Sequence, residues 1–404
     1  MSGGTRIAVF TDTLGDVNGV ARFVRALAED AGVRGAEGGN TAPALRVFTS
    51  TRMTVPRMAE VMNIRPRAAV RMPGYANLEV IWADRPALRR AARAFVPNVL
   101  HVSTPGPVGL AGRRLALQMQ REGHGVVLAG TYHTDFAAYV SKLFEDDALT
   151  WVTRRMLRWF YAPFEMVLAR SEAARVAMRA VGIGDERSAV LRCGVDLGRF
   201  APSAERRVAE GTPRESPVTV LCCGRVSVEK NVGVLMRIWP SVVRACAARG
   251  VRARLVVAGD GPMLSAMRAA LARSPCEFLG FVEGDNLVAA YHGADLLAFP
   301  SLTDTLGQVA LEAIACGVPV LVSDQGGPRS VVDRTGGGMA VESAGGDRAW
   351  AAVLERMILD AELRRTLRER ALAARDGLGI AESLADFRRH HERALTAARG
   401  RSRR

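Results

Sequence analysis

Short apolar runs alternate with helical patterns along most of the chain. Such a run, bounded by turn-forming residues and followed by apolar residues at helical spacing, is typical of a buried parallel strand and its following helix. In the first half, the strand-like runs are Ile7–Thr11, Leu45–Thr49, Val99–Ser103, Val126–Thr131, Val167–Arg170 and Ala189–Cys193. This alternation indicates a parallel α/β sheet rather than separate regions of strand and helix.

A second series of the same kind follows a polar segment. Residues 202–217 contain prolines and several charges, a composition typical of an inter-domain linker. The strand-like runs beyond it are Val218–Cys223, Arg254–Ala258, Phe278–Phe281, Leu296–Phe299 and Val318–Val322. The pattern predicts an α/β protein with two doubly wound, Rossmann-like domains that face a cleft at the carboxyl ends of their strands.

The linker and the last helix suggest the domain boundaries. We expect a first domain over residues 1–205 and a second over residues 206–378. Residues 379–404 form a final helix and a basic tail. No strand follows this helix, which leaves it free to pack back on the first domain.

Composition adds charge and compartment to this picture. The formal net charge of +14 is almost wholly arginine, since the only lysines are Lys142 and Lys230. A positive surface favours anionic partners such as phospholipid, nucleic acid or a nucleotide-sugar. The six cysteines form no C-x-x-C pair, the N-terminus has no apolar targeting core, and no run of ~18 apolar residues occurs. We therefore expect a cytoplasmic protein with reduced thiols.

Two acids eight positions apart form the most informative feature of the chain. Asp304 follows the apolar run Leu296–Phe299, and Glu312 lies on the helix predicted over residues 307–316. Backbone N–H groups around Leu306 and Gly307 lie between them at a helix N-terminus, which suits an anion. An acid for sugar hydroxyls, amides for phosphate and an acid for a ribose diol would together bind a nucleotide-sugar.

Two cations lie at the start of the second domain. Gly224 directly follows a predicted strand, and Arg225 and Lys230 come before the next helical pattern. A guanidinium binds phosphate oxygens bidentately and an ammonium acts as a point charge, so both suit a leaving diphosphate. The alternative is a solvated pair of cations at a helix start.

Two further strand-to-helix joints carry glycine. Gly259 follows the run Arg254–Ala258, where turn formation alone is a sufficient alternative to a role in the site. Gly19 lies in the segment Thr11–Val20, where it allows backbone to approach a ligand closely; plain turn geometry is the alternative. The glycine spacing there differs from the dinucleotide fingerprint.

His133 follows the predicted strand Val126–Thr131, where a side chain can project from the carboxyl end of the sheet. It could donate a hydrogen bond to a sugar hydroxyl or to an acceptor. The alternative is a histidine that tethers the next segment of chain.

One helical stretch permits two interpretations. Between Leu149 and Phe160, the apolar side chains Leu149, Val152, Met156, Trp159 and Phe160 share one face, and Arg154, Arg155 and Arg158 share the other. The helix is either an interfacial membrane surface or an ordinary core helix with a solvated arginine face.

Several chemistries lack their sequence signature. The chain has no D-x-D triplet, no H-E-x-x-H or cysteine–histidine metal spacing, and no P-loop. We expect no metal and no cofactor beyond the substrate itself, so that cations and helix ends stabilise a diphosphate.

These segments together resemble the retaining family 4 glycosyltransferases of the GT-B fold, from near residue 6 to near residue 395. The segments that carry the resemblance are Asp16–Arg22, Thr131–Phe136, Cys193–Phe200, Gly224–Asn231 and Pro300–Gly307 with Glu312. The first acid is commonly glutamate in the family, where this chain has Asp304. Arg192 and Cys193 stand where proline and asparagine are frequent.

The resemblance implies roles for the candidate residues. It places Arg225 and Lys230 on the donor phosphates, Asp304 on sugar hydroxyls and Glu312 on the ribose. Amides near Leu306 and Gly307 would bind the diphosphate, as part of a donor site that also includes Gly224 and Gly259. His133 would lie near the transferred sugar, and Gly19 at the acceptor side of the diphosphate.

The implied function is a metal-independent hexosyl transfer from a nucleotide-diphosphate sugar to an acceptor hydroxyl, with retention. Within the family, the segments around His133 and Asp304 look most like members that glycosylate diacylglycerol or phosphatidylinositol, which favours a lipid acceptor, an anionic membrane surface and a peripheral position on its cytoplasmic face. A nucleotide-sugar epimerase or hydrolase on the same fold is the alternative. A basic nucleic-acid-binding protein is a distant one, because it leaves Asp304 and Glu312 unexplained and no binding module is present.

Overall fold

Two separate parallel sheets organise the chain, in a computed structural model that describes residues 4–16, 18–36, 44–72, 75–203 and 216–402. The chain divides into two compact units. The first comprises Met1–Thr134, Thr150–Arg192 and Ala381–Arg404, and the second Asp135–Leu149 and Cys193–Ile380.

This grouping differs from the expected boundaries in two stretches, because residues 193–203, expected in the first domain, also belong to the second unit. Residues 135–149 belong to the second unit, where the helix Phe136–Phe144 contacts the 3₁₀ turn Val228–Lys230. The expected boundary at residue 205, and most of the polar linker, lie outside the described residues.

Fifteen strands lie within the described part of the chain. They are β1 Arg6–Phe10, β2 Ala44–Thr49, β3 Val61–Asn63, β4 Ala68–Met72, β5 Tyr75–Trp82, β6 Val99–Val102, β7 Val127–Tyr132, β8 Met166–Ala169, β9 Ser188–Val190, β10 Val218–Cys223, β11 Ala253–Ala258, β12 Cys276–Gly280, β13 Leu296–Phe299, β14 Val320–Ser323 and β15 Gly338–Val341.

The α-helices of the same residues number fourteen. They are α1 Gly19–Ala36, α2 Arg85–Ala94, α3 Pro107–Arg121, α4 Phe136–Phe144, α5 Asp147–Tyr161, α6 Glu172–Ala180, α7 Gly233–Ala247, α8 Leu264–Ala270, α9 Gly284–His292, α10 Gln308–Ala315, α11 Gly327–Thr335, α12 Gly346–Leu359, α13 Ala361–Ala374 and α14 Ile380–Ser402.

The first unit is built on a parallel sheet of seven described strands, in the order β3-β2-β1-β6-β7-β8-β9. Every residue of β6, β7 and β8 is buried, as expected for strands that helices cover on both faces. The order reverses between β1 and β6, which marks a doubly wound sheet.

The antiparallel hairpin of β4 and β5 was not predicted from the sequence. Its side chains alternate, with Ile81 buried inward and Val70, Val80 and Trp82 exposed outward. A two-stranded ribbon with apolar residues on both faces gives neither the continuous buried run of a parallel strand nor a polar-to-apolar alternation.

The second unit contains a parallel sheet of six described strands, in the order β12-β11-β10-β13-β14-β15. Leu221 and Cys223 pack into one core and Val220 and Cys222 into another, because successive side chains of a strand point to opposite faces. The order reverses between β10 and β13, so this sheet is also doubly wound.

The C-terminal helix α14 packs in the first unit. Leu384, Phe387 and Leu395 are buried, and Arg388 forms an ion pair with Asp30 of α1. The helix runs on to Ser402, so the described part of the basic tail is helical, and its arginines suit a helix C-terminus.

A chain of buried polar groups ties α14 to the first sheet. His391 Nδ1 lies 2.6 Å from the carbonyl oxygen of Phe387, His391 Nε2 lies 2.8 Å from His101 Nδ1, and His101 Nε2 lies 3.0 Å from Thr131 Oγ1. A carbonyl oxygen only accepts, so His391 donates to Phe387. Burial keeps both imidazoles neutral, and in that form His391 accepts from His101, which in turn accepts from Thr131.

Stability should therefore fall in mild acid. Burial lowers the pKa of His391 to about 4 and that of His101 well below its ordinary value. Below about pH 6.5 these histidines bind protons in the unfolded chain but stay neutral in the folded chain. Each of them therefore lowers the free energy of unfolding by about 1.4 kcal/mol per pH unit as the pH falls below about 6.5. Replacing His391 by Gln should reduce the loss of thermal midpoint between about pH 7.5 and about pH 5.5. An equal loss in both proteins would contradict this account.

Candidate functional site

Two loops of the second unit meet at the carboxyl edge of its sheet. Residues 224–227 follow β10 and residues 300–307 follow β13, and these two strands are parallel neighbours. The strand order reverses between them, and ligands of doubly wound sheets bind outside the carboxyl ends of strands at such a point. Six of the predicted site residues lie in or beside these two loops.

Backbone packing explains two of the predicted glycines. A Cβ atom on Gly259 would lie 1.8 Å from the carbonyl oxygen of Gly224, so the loops after β10 and β11 touch through their main chains. Val226 N donates to Asp260 O at 3.0 Å and joins the same loops. Gly224 and Gly259 therefore allow the two loops to pack closely, and the binding of a donor by these glycines stays a prediction.

The structure brings Lys230 and Asp304 together. Lys230 Nζ lies 2.5 Å from Asp304 Oδ2, and about a quarter of each side chain is exposed. The Lys230 ammonium also lies 5.7 Å from the centre of the Phe299 ring. The first acid of the predicted pair is thus the counterion of a predicted phosphate-binding cation.

Arg225 faces a different acid. Its Nη1 atom lies 3.9 Å from Glu229 Oε1, within the segment Gly224–Asn231. The two loops are fastened here by Thr303 Oγ1, which donates to Glu229 O at 3.2 Å, and by Asn231 Nδ2, which donates to Pro300 O at 3.3 Å. The predicted cations therefore sit on a turn that is fixed from both sides.

Gly307 is the N-cap residue of α10. Its φ of 76° lies in the left-handed region that favours glycine, and a Cβ there would lie 2.8 Å from Pro328. Gly327 N donates to Asp304 O at 2.6 Å, so the loop after β14 supports the loop that carries Asp304 and Leu306. The sequence analysis missed this support, although Gly326, Gly327 and Pro328 form a strand-to-helix joint of the same type.

Glu312 is fully buried on α10. The Tyr291 hydroxyl donates to its Oε2 at 2.8 Å and also lies 3.7 Å from Cys223 Sγ. Burial raises the pKa of Tyr291 well above its ordinary value, and Cys223 and Glu312 add to this, so the phenol stays a donor. The two predicted acids thus differ in depth, and Tyr291 is a partner that no spacing in the sequence indicated.

The remaining predicted residues, Gly19 and His133, belong to the first unit. Gly19 begins α1, and Asn18 Oδ1 caps this helix by accepting from Ala21 N at 2.8 Å. His133 follows β7, with its ring centroid 6.4 Å from that of Phe23.

Burial, with a smaller effect from Arg170, lowers the pKa of His133 well below its ordinary value. The imidazole is therefore neutral near pH 7 and able to donate one hydrogen bond and accept another. In the described residues, no group of three or more His, Cys, Asp or Glu side chains is placed to hold a metal ion.

Comparisons with known proteins place this arrangement in a family. Residues 17–199 match the family model "Glycosyltransferase Family 4", and residues 204–373 match "Glycosyl transferases group 1". The two matches follow one another along nearly the whole chain, which belongs to the family 4 glycosyltransferases with the GT-B fold.

Individual relatives are more distant. A GDP-mannose-dependent alpha-mannosyltransferase of Mycobacterium tuberculosis is 32% identical over 61% of this chain and 61% of its own length. An alpha-monoglucosyldiacylglycerol synthase of Streptococcus pneumoniae is 25% identical over 78% of this chain and 70% of its own. The chain spans about half to three fifths of the length of the first curated relatives it matches.

The solved structure of sucrose-phosphate synthase from Thermosynechococcus elongatus superposes with a TM-score of 0.72. It is 19% identical, and the match covers 97% of this chain and 100% of that chain. At this identity the likeness confirms the predicted fold and carries no information about the substrate.

The pair of Tyr291 and Glu312 gives a test of how the site is held. Replacing Tyr291 by Phe removes the donor from a buried carboxylate, and we expect a loss of about 1–3 kcal/mol in the free energy of unfolding. In a protein that already carries Glu312→Gln, the same change should cost much less. Urea denaturation of the four proteins measures this coupling; losses that add within about 0.5 kcal/mol would contradict the pairing.

Proposed function

We propose that the chain is a glycosyltransferase that moves a hexosyl group from a nucleotide-diphosphate sugar to an acceptor hydroxyl, with retention and without a metal ion. The observation that carries the proposal is the pair of cations Arg225 and Lys230 at the reversal point of the second sheet, with Asp304 beside them. A transfer from such a donor develops negative charge on the leaving diphosphate, which fixed cations stabilise.

Binding of the donor exchanges partners at Lys230. A phosphate oxygen takes the ammonium from Asp304, and the freed carboxylate accepts hydrogen bonds from hydroxyls of the sugar. The half-buried position of this ion pair supports the exchange, because both groups can be reached from solvent. Glu312 is assigned to the ribose, a contact that requires its fully buried carboxylate to become accessible.

The reaction breaks the bond between the anomeric carbon and the diphosphate oxygen. The acceptor oxygen forms its new bond on the same face, and the acceptor proton passes to the departing diphosphate, so configuration is retained. Arg225 and Lys230 stabilise the charge that this departure creates. His133, neutral near pH 7, is assigned to a hydroxyl of the transferred sugar.

The donor site is tested by ligand-induced stabilisation. UDP, GDP, ADP and their hexose conjugates are added separately, and a ligand at a hundred times its dissociation constant should add about 2.7 kcal/mol to stability. We expect one base to be preferred.

Lys230→Ala should keep the fold and lose at least about tenfold in turnover, as removal of a charge-stabilising donor does elsewhere.

The matched control is Arg237→Ala. Arg237 forms an ion pair with Asp347 on the surface of the same unit, at 2.5 Å, and is assigned no role in the site. Replacing Arg237 by Ala should leave turnover unchanged. Near-normal turnover in Lys230→Ala would remove this residue from the mechanism, and no shift with any nucleotide would remove the donor site.

The acceptor is proposed to be a lipid at an anionic membrane surface. On α5 most of the predicted apolar face is exposed: Val152, Met156 and Trp159 are exposed with Trp151, and only Phe160 of that face lies in the core. The core side is formed instead by Thr150, Thr153, Leu157, Phe160 and Tyr161.

The exposed face of α5 suits a bilayer interface. Tryptophan and methionine insert between headgroups, and the exposed Arg154, Arg155 and Arg158 attract anionic lipid. The likeness to the alpha-monoglucosyldiacylglycerol synthase of Streptococcus pneumoniae supports a lipid acceptor. None of the described helices is long and apolar enough to span a bilayer. We therefore propose peripheral association with the cytoplasmic face of the cell membrane.

Liposome sedimentation tests this surface. Wild type should bind vesicles that contain anionic lipid at low salt, and Arg154→Gln, Arg155→Gln and Arg158→Gln together should weaken binding about a hundredfold, at about 1 kcal/mol per arginine. Trp151→Ser with Trp159→Ser should weaken it at any salt concentration. Val176→Ser, an equally exposed apolar position on α6, is the control. Equal binding by all four proteins would exclude α5 as the contact.

A further inference from the structure

The acid between the two predicted cations has no place in the roles assigned so far. Glu229 lies in the 3₁₀ turn Val228–Lys230 and its side chain is only 3% exposed. Among the described residues its Oε2 atom has no hydrogen-bond partner, and its Oε1 atom lies 3.9 Å from Arg225 Nη1.

Such a carboxylate is costly for a fold to keep. A buried charge without full hydrogen bonding destabilises the folded state, and an ion pair at this distance returns only part of the loss. Its backbone is held inward by Thr303, which donates to Glu229 O at 3.2 Å. The turn is thus fixed to the neighbouring loop with this side chain on its buried side.

The two cations are paired in different ways. Lys230 and Asp304 are exposed to similar small extents, at 25% and 21%, so an incoming anion can separate them. Arg225 is 42% exposed while its acid is almost fully buried, so an anion can reach the guanidinium but cannot replace Glu229. A guanidinium has five N–H donors in one plane, which allows one edge to face a fixed acid while another binds phosphate.

We propose that Glu229 is a positioning residue for the donor: it fixes the guanidinium of Arg225 toward the carboxyl edge of the sheet, where it meets the diphosphate. This inference rests on the proposed function, because it assumes a diphosphate at Arg225. It assigns to Glu229 no contact with the substrate.

The test is a double-mutant cycle read by calorimetric titration with UDP, GDP and ADP. Glu229→Gln keeps the size of the side chain and removes its charge, and we expect about a tenfold loss of affinity for the preferred diphosphate, about 1.4 kcal/mol. The same change in an Arg225→Ala protein should cost nothing further. The unliganded thermal midpoint of Glu229→Gln should be equal to or above that of wild type, because a buried charge with incomplete hydrogen bonding has been removed.

A purely structural role gives a different pattern. Glu229→Gln would then lower the unliganded midpoint and reduce affinity equally with and without Arg225, which would overturn the inference, as would unchanged affinity.

Should Glu229→Gln not fold, Glu229→Asp, which withdraws the carboxylate by one methylene, takes its place in the cycle with the same expectation for affinity. Asp347→Asn, which breaks the surface pair with Arg237, controls for the loss of any acid in this unit. If the wild-type protein binds none of the three diphosphates, both the donor site and this inference are overturned. If the wild type binds a diphosphate and Glu229→Gln binds it equally well, the inference alone is overturned.

Discussion

Parallel pairing of β10 with β13 is the constraint on which the candidate site depends. The two strands lie far apart in sequence, yet their carboxyl ends open at the same edge of the sheet. Only this pairing brings Lys230 and Asp304, 74 positions apart, to 2.5 Å. Parallel strands also require a crossover between them, and the chain between β10 and β13 supplies the loop that carries Gly259 and the helix that carries Tyr291. Pairing, loop packing and the buried acid at Glu312 are thus consequences of one topology.

Strand positions were predictable wherever the strand is buried on both faces. Val218–Cys223 and Leu296–Phe299 match the structure residue for residue, because continuous burial requires a continuous apolar run. The run predicted over Val318–Val322 forms a strand only from Val320, after a proline that has no N–H to donate to a ladder. Edge strands such as β3 and the hairpin of β4 and β5 escaped prediction, because their sequences carry no such run.

The site residues divide in the same way. The sequence was enough to predict three site residues, Asp304, Lys230 and Arg225. Each lies between a buried strand and the next helix, where a charged side chain is placed at the carboxyl edge of the sheet. Their partners could not be named, since Tyr291 lies on a helix with ordinary apolar spacing and meets Glu312 only in the core to which both helices contribute. Glu229 was visible as a neighbour of Lys230, but nothing in the sequence indicates that its side chain turns inward.

Burial decides which acid near a phosphate-binding cation competes with the ligand and which one supports it. Under the proposed function, the partly exposed Asp304 gives up Lys230 to a phosphate, and its charge is then left for the sugar hydroxyls of the same donor. Once the sugar has left, only the diphosphate remains, and Asp304 again favours the return of Lys230. The acid that helps to bind the intact donor under the proposed function therefore also favours release of the spent diphosphate. Glu229 cannot act in this way, because its burial holds it at Arg225 throughout.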